Sequence, residues 1–217
     1  MNTKVDSITT ENIRKKDTES VRLCPVCNYL GKFEPFGVER PRQNVRCPGC
    51  GSIERARLYY LYLLSTNYFS EESCRVLHAV PEQCIRYKIN RVSNIEYHSH
   101  GLEEIEKTEY ENNSVDVIIA NHVLDRVRDD LTVLKEFNRV LSKDGIALLS
   151  VYMKRDIESD LGVMPRRYGK DYIERVEKCG FDVEVISAED LCGTTISYIY
   201  GIEPKEVIVV GRKKNGI

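Results

Sequence analysis

The stretch ENNSVDVIIANHVLDRVRDDLTVLKEFNRVLSKDG, residues 111–145, decides how the rest of the chain is read. Val115, Val117, Ile118, Ile119 and Ala120 form a short apolar run, the pattern of a parallel strand covered on both faces. Asp129 or Asp130 is placed to cap a helix that carries Leu131, Leu134, Phe137 and Leu141 on one face. Lys143-Asp144-Gly145 is expected to stop that helix, and Ile146–Tyr152 to form the next strand. Strand, helix and strand in this order make one βαβ unit.

Working outward, Cys74–Arg91 repeats the pattern. RVLHAV reads as a buried strand, Pro81 marks the start of a helix, and Glu82 and Gln83 suit its first turn. Asn94–His100 is a second strand, with His98 and His100 on one face; a metal pair, a catalytic base or ordinary packing are all open to them. The interval 102–113 is too short and too charged for a full strand. Downstream, 153–170 has no periodicity and holds Arg155, Arg166 and Arg167. Asp171–Lys178 is an amphipathic helix ended by Gly180, Phe181–Ile186 and Glu206–Val210 are strands, and 189–205 reads as a lid or substrate loop. The alternation gives an α/β fold with a doubly wound, mostly parallel sheet over residues 74–214.

Upstream lies the strongest local signal. Cys24-Pro-Val-Cys27 and Cys47-Pro-Gly-Cys50 have two residues inside each pair and nineteen between them. Two residues between thiolates let one tight turn aim both sulfurs at one metal, and four thiolates match closed tetrahedral zinc. Cys24, Cys27, Cys47 and Cys50 are thus expected to hold a structural zinc in a ribbon over residues 21–52, with Gly49 and Gly51 easing the turns. Redox CxxC pairs or free thiols are the alternatives, but a redox motif lacks its βαβ setting here. Loss of Cys47 is expected to unfold this ribbon alone. Ser52 reads as the cap of a linking helix in 53–73, whose Arg55 and Arg57 read as a solvated face. Residues 1–20 are polar and read as a tail.

Composition bounds the function. With 217 residues, 41% apolar and 30% charged, the chain reads as globular, with no run fit to span a bilayer. No secretory signal is read at the start, so a cytoplasmic protein without disulfides is expected. Net charge is −2, unevenly spread: residues 21–66 carry seven basic and three acidic side chains, residues 67–150 ten and fifteen. So modest a basic patch reads as a solvated face or internal interface rather than a nucleic-acid surface.

VDVIIANHVLDRV followed by EFNRVLSKDG resembles the second half of class I S-adenosylmethionine-dependent methyltransferases with a type 11 methyltransferase domain. Asp125 stands where that family has Glu, and Arg126 where it has His. CPGCGSIERARLYYLYL is similar to the ribbon of a zinc-bearing subgroup, and Leu77–Glu82, LHAVPE, to its first turn. That turn lacks the glycines with which most family members approach the cofactor. The acid that normally binds the ribose falls at Gly101. The resemblance implies a Rossmann-like methyltransferase fold, S-adenosylmethionine as cofactor, and a small-molecule or macromolecular acceptor that the sequence does not name. It places the cofactor on His78, Ala79 and Pro81, beside Asn121, with Glu104 at the adenine, and makes His122 the candidate base. Amides of the helix starting at Pro81 would face the cofactor's carboxylate. The missing motifs also support a second reading, a methyltransferase fold that has lost its cofactor and serves as a binding or scaffold protein.

Overall fold

The structure, a computed structural model, describes residues 20–70, 73–153 and 168–214. The arginine-bearing stretch 154–167 and the tail 1–19 lie outside the described residues. Two small antiparallel pairs come first: β1 (Arg22–Leu23) with β2 (Leu30–Gly31), and β3 (Glu34–Phe36) with β4 (Arg42–Arg46). Then follow α1 (Glu54–Ser65), β5 (Cys74–Ala79), α2 (Gln83–Ile89), β6 (Ile95–His100), β7 (Val115–Ile119), α3 (Asp130–Val140) and β8 (Leu141–Leu148). The chain closes with α4 (Tyr172–Glu177), β9 (Phe181–Ser187), α5 (Ala188–Cys192), α6 (Thr194–Ile199) and β10 (Val207–Lys213).

The main sheet runs β6-β5-β7-β8-β10-β9. β5 pairs in parallel with β6 and with β7, and β7 with β8, while β10 is antiparallel to both its neighbours. This is the doubly wound, mostly parallel sheet expected from residues 111–145. Between Gly101 and Ser114 there are only turns, so β6 is an edge.

Alternation along each strand sends side chains to two cores. Leu77, Ala79, Ile118, Ala120 and Ala147 pack against Phe137 of α3 and Tyr172 of α4. Val76, Val117, Ile119, Ile208 and Val210 pack against α1, α2 and the N-terminal ribbon. α3 starts where expected: the Asp129 carboxylate accepts from Leu131 N and Thr132 N. Asp130, fully buried, takes both Nε and Nη2 of Arg175, which ties α3 to α4.

Gly145 does not stop α3. The helix ends at Val140 and the backbone turns extended at Leu141, so β8 begins five residues earlier than the strand read at Ile146. A Cβ at Gly145 would come 2.8 Å from Leu141 Cδ1 and 2.9 Å from the Asp116 carbonyl oxygen. Glycine is needed there for close approach of β8 to β7, where the register shifts between Val115 and Val117.

The ribbon shares the second core: Val26, Phe33 and Cys47 lie in one cluster with Leu58, Val117 and Ile208. Arg57, read as solvated, is instead fully buried. Its Nη1 donates to the Ser52 carbonyl at 2.7 Å and its Nη2 to the Gly201 carbonyl at 2.5 Å, and its guanidinium stands 4.8 Å from the Phe33 ring centre. The segment 189–205, expected as a lid, forms α5 and α6 and docks on the ribbon, where the Tyr198 carbonyl accepts from Arg22.

Candidate metal centre and strand-end crevice

The two cysteine knuckles repeat one hydrogen-bond pattern. Cys24 N donates to Tyr29 O and Asn28 N to Cys24 O; Cys47 N donates to Ser52 O and Gly51 N to Cys47 O. Asn28 (φ 62°) and Gly51 (φ 74°) take the left-handed residue that each turn requires. The four sulfurs lie within 4.8 Å of one another, with Cys24–Cys50 at 3.7 Å and Cys27–Cys47 at 3.5 Å. A tetrahedron of Zn–S bonds of ~2.3 Å has edges of ~3.8 Å, so the donor set fits zinc and leaves no open position. Ser52 does not cap α1, whose N-cap is Ile53. Its hydroxyl oxygen instead accepts from Cys50 Sγ at 3.2 Å and sits 3.3 Å from Cys24 Sγ, to which its one proton can be donated. The hydrogen bond from Cys50 is the main cause that pulls the Cys24 thiol down to about 4, while burial pushes Cys47 up to about 11. His98 and His100 hold no such cluster: His98 bonds Glu96, and His100 bonds the Tyr110 hydroxyl.

A second constellation lies at the C-terminal ends of β5 and β7. Each strand is followed by a residue in the left-handed region, Val80 (φ 49°) and His122 (φ 52°). For a β-branched residue such as Val80 this costs on the order of 1–2 kcal/mol. The turn lacks the expected glycines, yet its backbone adopts a conformation that glycine would supply without strain.

Glu82 sits at the centre. Its carboxylate accepts from Asn121 Nδ2 at 2.7 Å, lies 3.1 Å from His78 Nε2, and is bonded by the Tyr59 hydroxyl. Burial alone would push its carboxyl up, but the hydrogen bond and charge of His78, with Tyr59 and Asn121, hold it down at about 2. Asn121 is 6% exposed, and its Oδ1, also buried, has no partner. The strand ends therefore hold a partly exposed carboxylate beside a buried carbonyl oxygen that has no partner.

The residues expected to bind a cofactor are divided by this geometry. Asn121 is buried at the end of β7 and Pro81 half-buried after β5. His78 is fully buried with both nitrogens engaged, Nδ1 at 3.0 Å from the Tyr97 hydroxyl. Ala79 points into the apolar core, 1% exposed. Neither side chain offers an atom to the crevice. Glu104 curls back to the end of β6, where its Oε2 accepts from Gly101 N at 2.8 Å. Glu82 was legible only as a helix-start acid; the missed signal was an acid four residues after a strand histidine, opposite an asparagine at the neighbouring strand's end.

His122, the candidate base, lines a separate cavity of about 640 Å³ with Arg42, Arg55, Tyr152 and Lys205. Its imidazole is pushed down to about 4, first by burial and then by Arg55. At neutral pH it is uncharged and able to accept a proton.

Residues 49–149 match the family model described as a methyltransferase domain. Among solved structures, the 4+2 cyclase SpnF matches with a TM-score of 0.50 and 15% identity, over 79% of this chain and 86% of its own. The YcgJ protein from Bacillus subtilis matches at 0.45 and 12%, over 73% and 99%. The CurJ carbon methyltransferase matches at 0.47 and 13%, over 66% and 49%. At this identity the likeness to SpnF shows the fold. No curated protein matches the sequence.

Proposed function

We propose that this chain, a methyltransferase-like protein with a methyltransferase domain over residues 49–149, binds S-adenosylmethionine at the ends of β5 and β7. The observation that carries the reading is the left-handed turn at Val80, a strained backbone conformation held at a strand end beside the partnerless Asn121 Oδ1. Glu82 and Asn121 offer only acceptors, so they suit the cofactor's ammonium group. This replaces the expected contact between its carboxylate and helix amides. α2 has seven residues, and its N-cap is the ionised Glu82, which would repel a carboxylate. Glu104, expected at the adenine, brings a carboxylate to the strand end where Gly101 leaves the ribose without its usual acid.

When bound, S-adenosylmethionine supplies an already activated methyl group. The chain need only hold donor and acceptor in line and take up a proton, for which the neutral His122 imidazole stands ready. Zinc at Cys24, Cys27, Cys47 and Cys50 would be structural, fixing the ribbon against α1. Eight free cysteines suit a reducing, cytoplasmic setting. None of the described helices is long and apolar enough to cross a membrane. The acceptor is a small molecule or a macromolecule that this fold alone does not name.

Calorimetry with S-adenosylmethionine and S-adenosylhomocysteine tests the reading. Saturable heat that is lost in Asn121→Leu supports it. The absence of heat at high concentration overturns it in favour of a scaffold, a reading that the neutral Gly101 favours.

A further inference from the structure

The cavity beside His122 is built by five separate parts of the chain: Arg42 from β4, Glu54 and Arg55 from α1, His122 after β7, Tyr152 after β8, and Lys205 with Glu206 before β10. It opens at the same end of the sheet as the crevice, since β7 and β8 end there and the antiparallel β10 begins there. Its volume, about 640 Å³, is that of a small-molecule site.

The charges do not cancel. Arg42 Nη1 and Glu54 Oε1 pair at 2.7 Å and satisfy one another. Glu206 is mostly buried, and burial, followed by the neighbouring Glu54, pushes its carboxyl up. His122 is neutral at pH 7. Outside the Arg42–Glu54 pair the cavity holds two cations, Arg55 and Lys205, against the single carboxyl of Glu206, on which Arg55 acts. Arg55 is half-buried at the start of α1 and makes no hydrogen bond or ion pair among the described residues. A partly desolvated guanidinium with its fork of donors empty is costly to keep and fits a planar carboxylate or a phosphate. A solvated surface arginine would sit on an exposed face, and Arg55 lies in the wall of an open cleft that Arg42 of β4 and Lys205 before β10 also line.

We propose that this cavity is the acceptor site and that it takes a small anion, a carboxylate or phosphate, with Arg55 as the anchoring side chain and Lys205 beside it. Its being the acceptor site rests on the methyltransferase reading; its being an anion site does not. A cationic acceptor would meet the like charges of Arg55 and Lys205. Asp125, which also senses Arg55, lies in the turn after His122 and its Oδ1 is buried without a partner, so it leaves the guanidinium uncapped.

The test is a nuclear magnetic resonance titration of the full chain with inorganic phosphate, 4-hydroxybenzoate and the neutral 4-hydroxybenzamide, read at the His122 ring. One or both anions should move that resonance saturably, and the amide should not. Arg55→Gln should weaken the effective anion at least 10-fold, while Arg40→Gln, on the exposed ribbon, leaves it unchanged. Response to phosphate alone or to benzoate alone assigns the ligand's class. No response to either anion, an equal response to the amide, or an unchanged affinity in Arg55→Gln overturns the proposal. Anion binding in a protein that shows no heat with S-adenosylmethionine would retain the anion site and remove the methyltransferase reading. Cofactor heat without any anion response would do the reverse.

Discussion

Asn121 Nδ2 lies 2.7 Å from Glu82 Oε1, a bond that joins the ends of β7 and β5 across 39 positions of the chain. It makes the crevice one hydrogen-bonded unit with the buried His78 and Tyr59. The Glu82 carboxyl is held at about 2, below its ordinary 4.5. A depressed carboxyl stabilises the fold above its unfolded value and loses that contribution as pH falls towards its folded value. Glu82→Gln should therefore cost about 1–3 kcal/mol at pH 7, since one neutral carbonyl oxygen cannot replace a charged carboxylate bonded to His78, Tyr59 and Asn121. Thermal unfolding of both proteins should show the gap closing as pH falls from about 4.5 towards 2. A gap independent of pH would mean that Glu82 is not ionised in the fold.

The left-handed φ of Val80 predicts an inverted ranking of two substitutions. Val80→Ala and Val80→Gly both lose the isopropyl contacts, but only alanine keeps a Cβ in the strained region. At an ordinary position alanine is the more stable by roughly 0.5–1 kcal/mol. Here Val80→Gly should be the more stable by about 1 kcal/mol, measurable by urea unfolding.

The strain at Val80 also marks where sequence reading ends. Residues 111–145 revealed the parallel sheet because local periodicity and caps dictate strands and helices: Val115–Ile119 is buried on both faces, and Asp129 caps α3. The four cysteines were legible because their spacing alone fixes a turn. Burial of Arg57 was hidden, since it depends on Phe33 and Gly201, 24 and 144 positions away. Glu82 was hidden for the same reason: three chain-distant or strand-held partners, none of them periodic, give it its role. The start of β8 was misplaced because Gly145 was read as a conformational stop, when its cause is the missing Cβ against Asp116.

Arg57 is the charge through which the ribbon grips the sheet domain, so its removal should be felt throughout. Arg57→Met removes one donor each from the Ser52 and Gly201 carbonyls and the guanidinium's packing on Phe33, and the expected cost is about 3 kcal/mol. Arg57→Lys should not restore it, because one ammonium does not reproduce the fork that reaches both Ser52 O and Gly201 O. Equal stability of the lysine variant and the wild type in chemical unfolding would show the fork to be dispensable.

Zinc should stabilise more than the ribbon. Cys24 and Cys47 lie in the same buried cluster as Val76, Ile119 and Ile208 of the sheet. Metal analysis is expected to give one zinc per chain, and chelation or Cys47→Ser to lower the midpoint of a single transition. This revises the expectation that residues 21–52 would unfold alone. Amide exchange would check it: protection should fall on β5 and β10 as well as on the knuckles. Loss confined to residues 21–52 would show the ribbon to be separable.

The last expectation concerns His122. Burial and, after it, the charge of Arg55 depress its imidazole to about 4, and Glu82 opposes them only in part. In the unfolded chain the ring charges near 6.5; in the fold it stays neutral until about pH 4. The unfolded state thus binds the extra proton first, and this group's effect on stability turns unfavourable as pH falls from about 6.5 to 4. Above about pH 8 it should contribute no pH dependence to either stability or proton uptake. A carbon-resolved titration of the four histidines should find His122 with the midpoint near 4. Arg55→Gln should move that midpoint upward, because it removes a repelling cation while burial remains. A midpoint that stays put in Arg55→Gln would place the guanidinium away from the ring, and a wild-type midpoint near 6.5 would show that burial and Arg55 do not act on the ring as the fold implies.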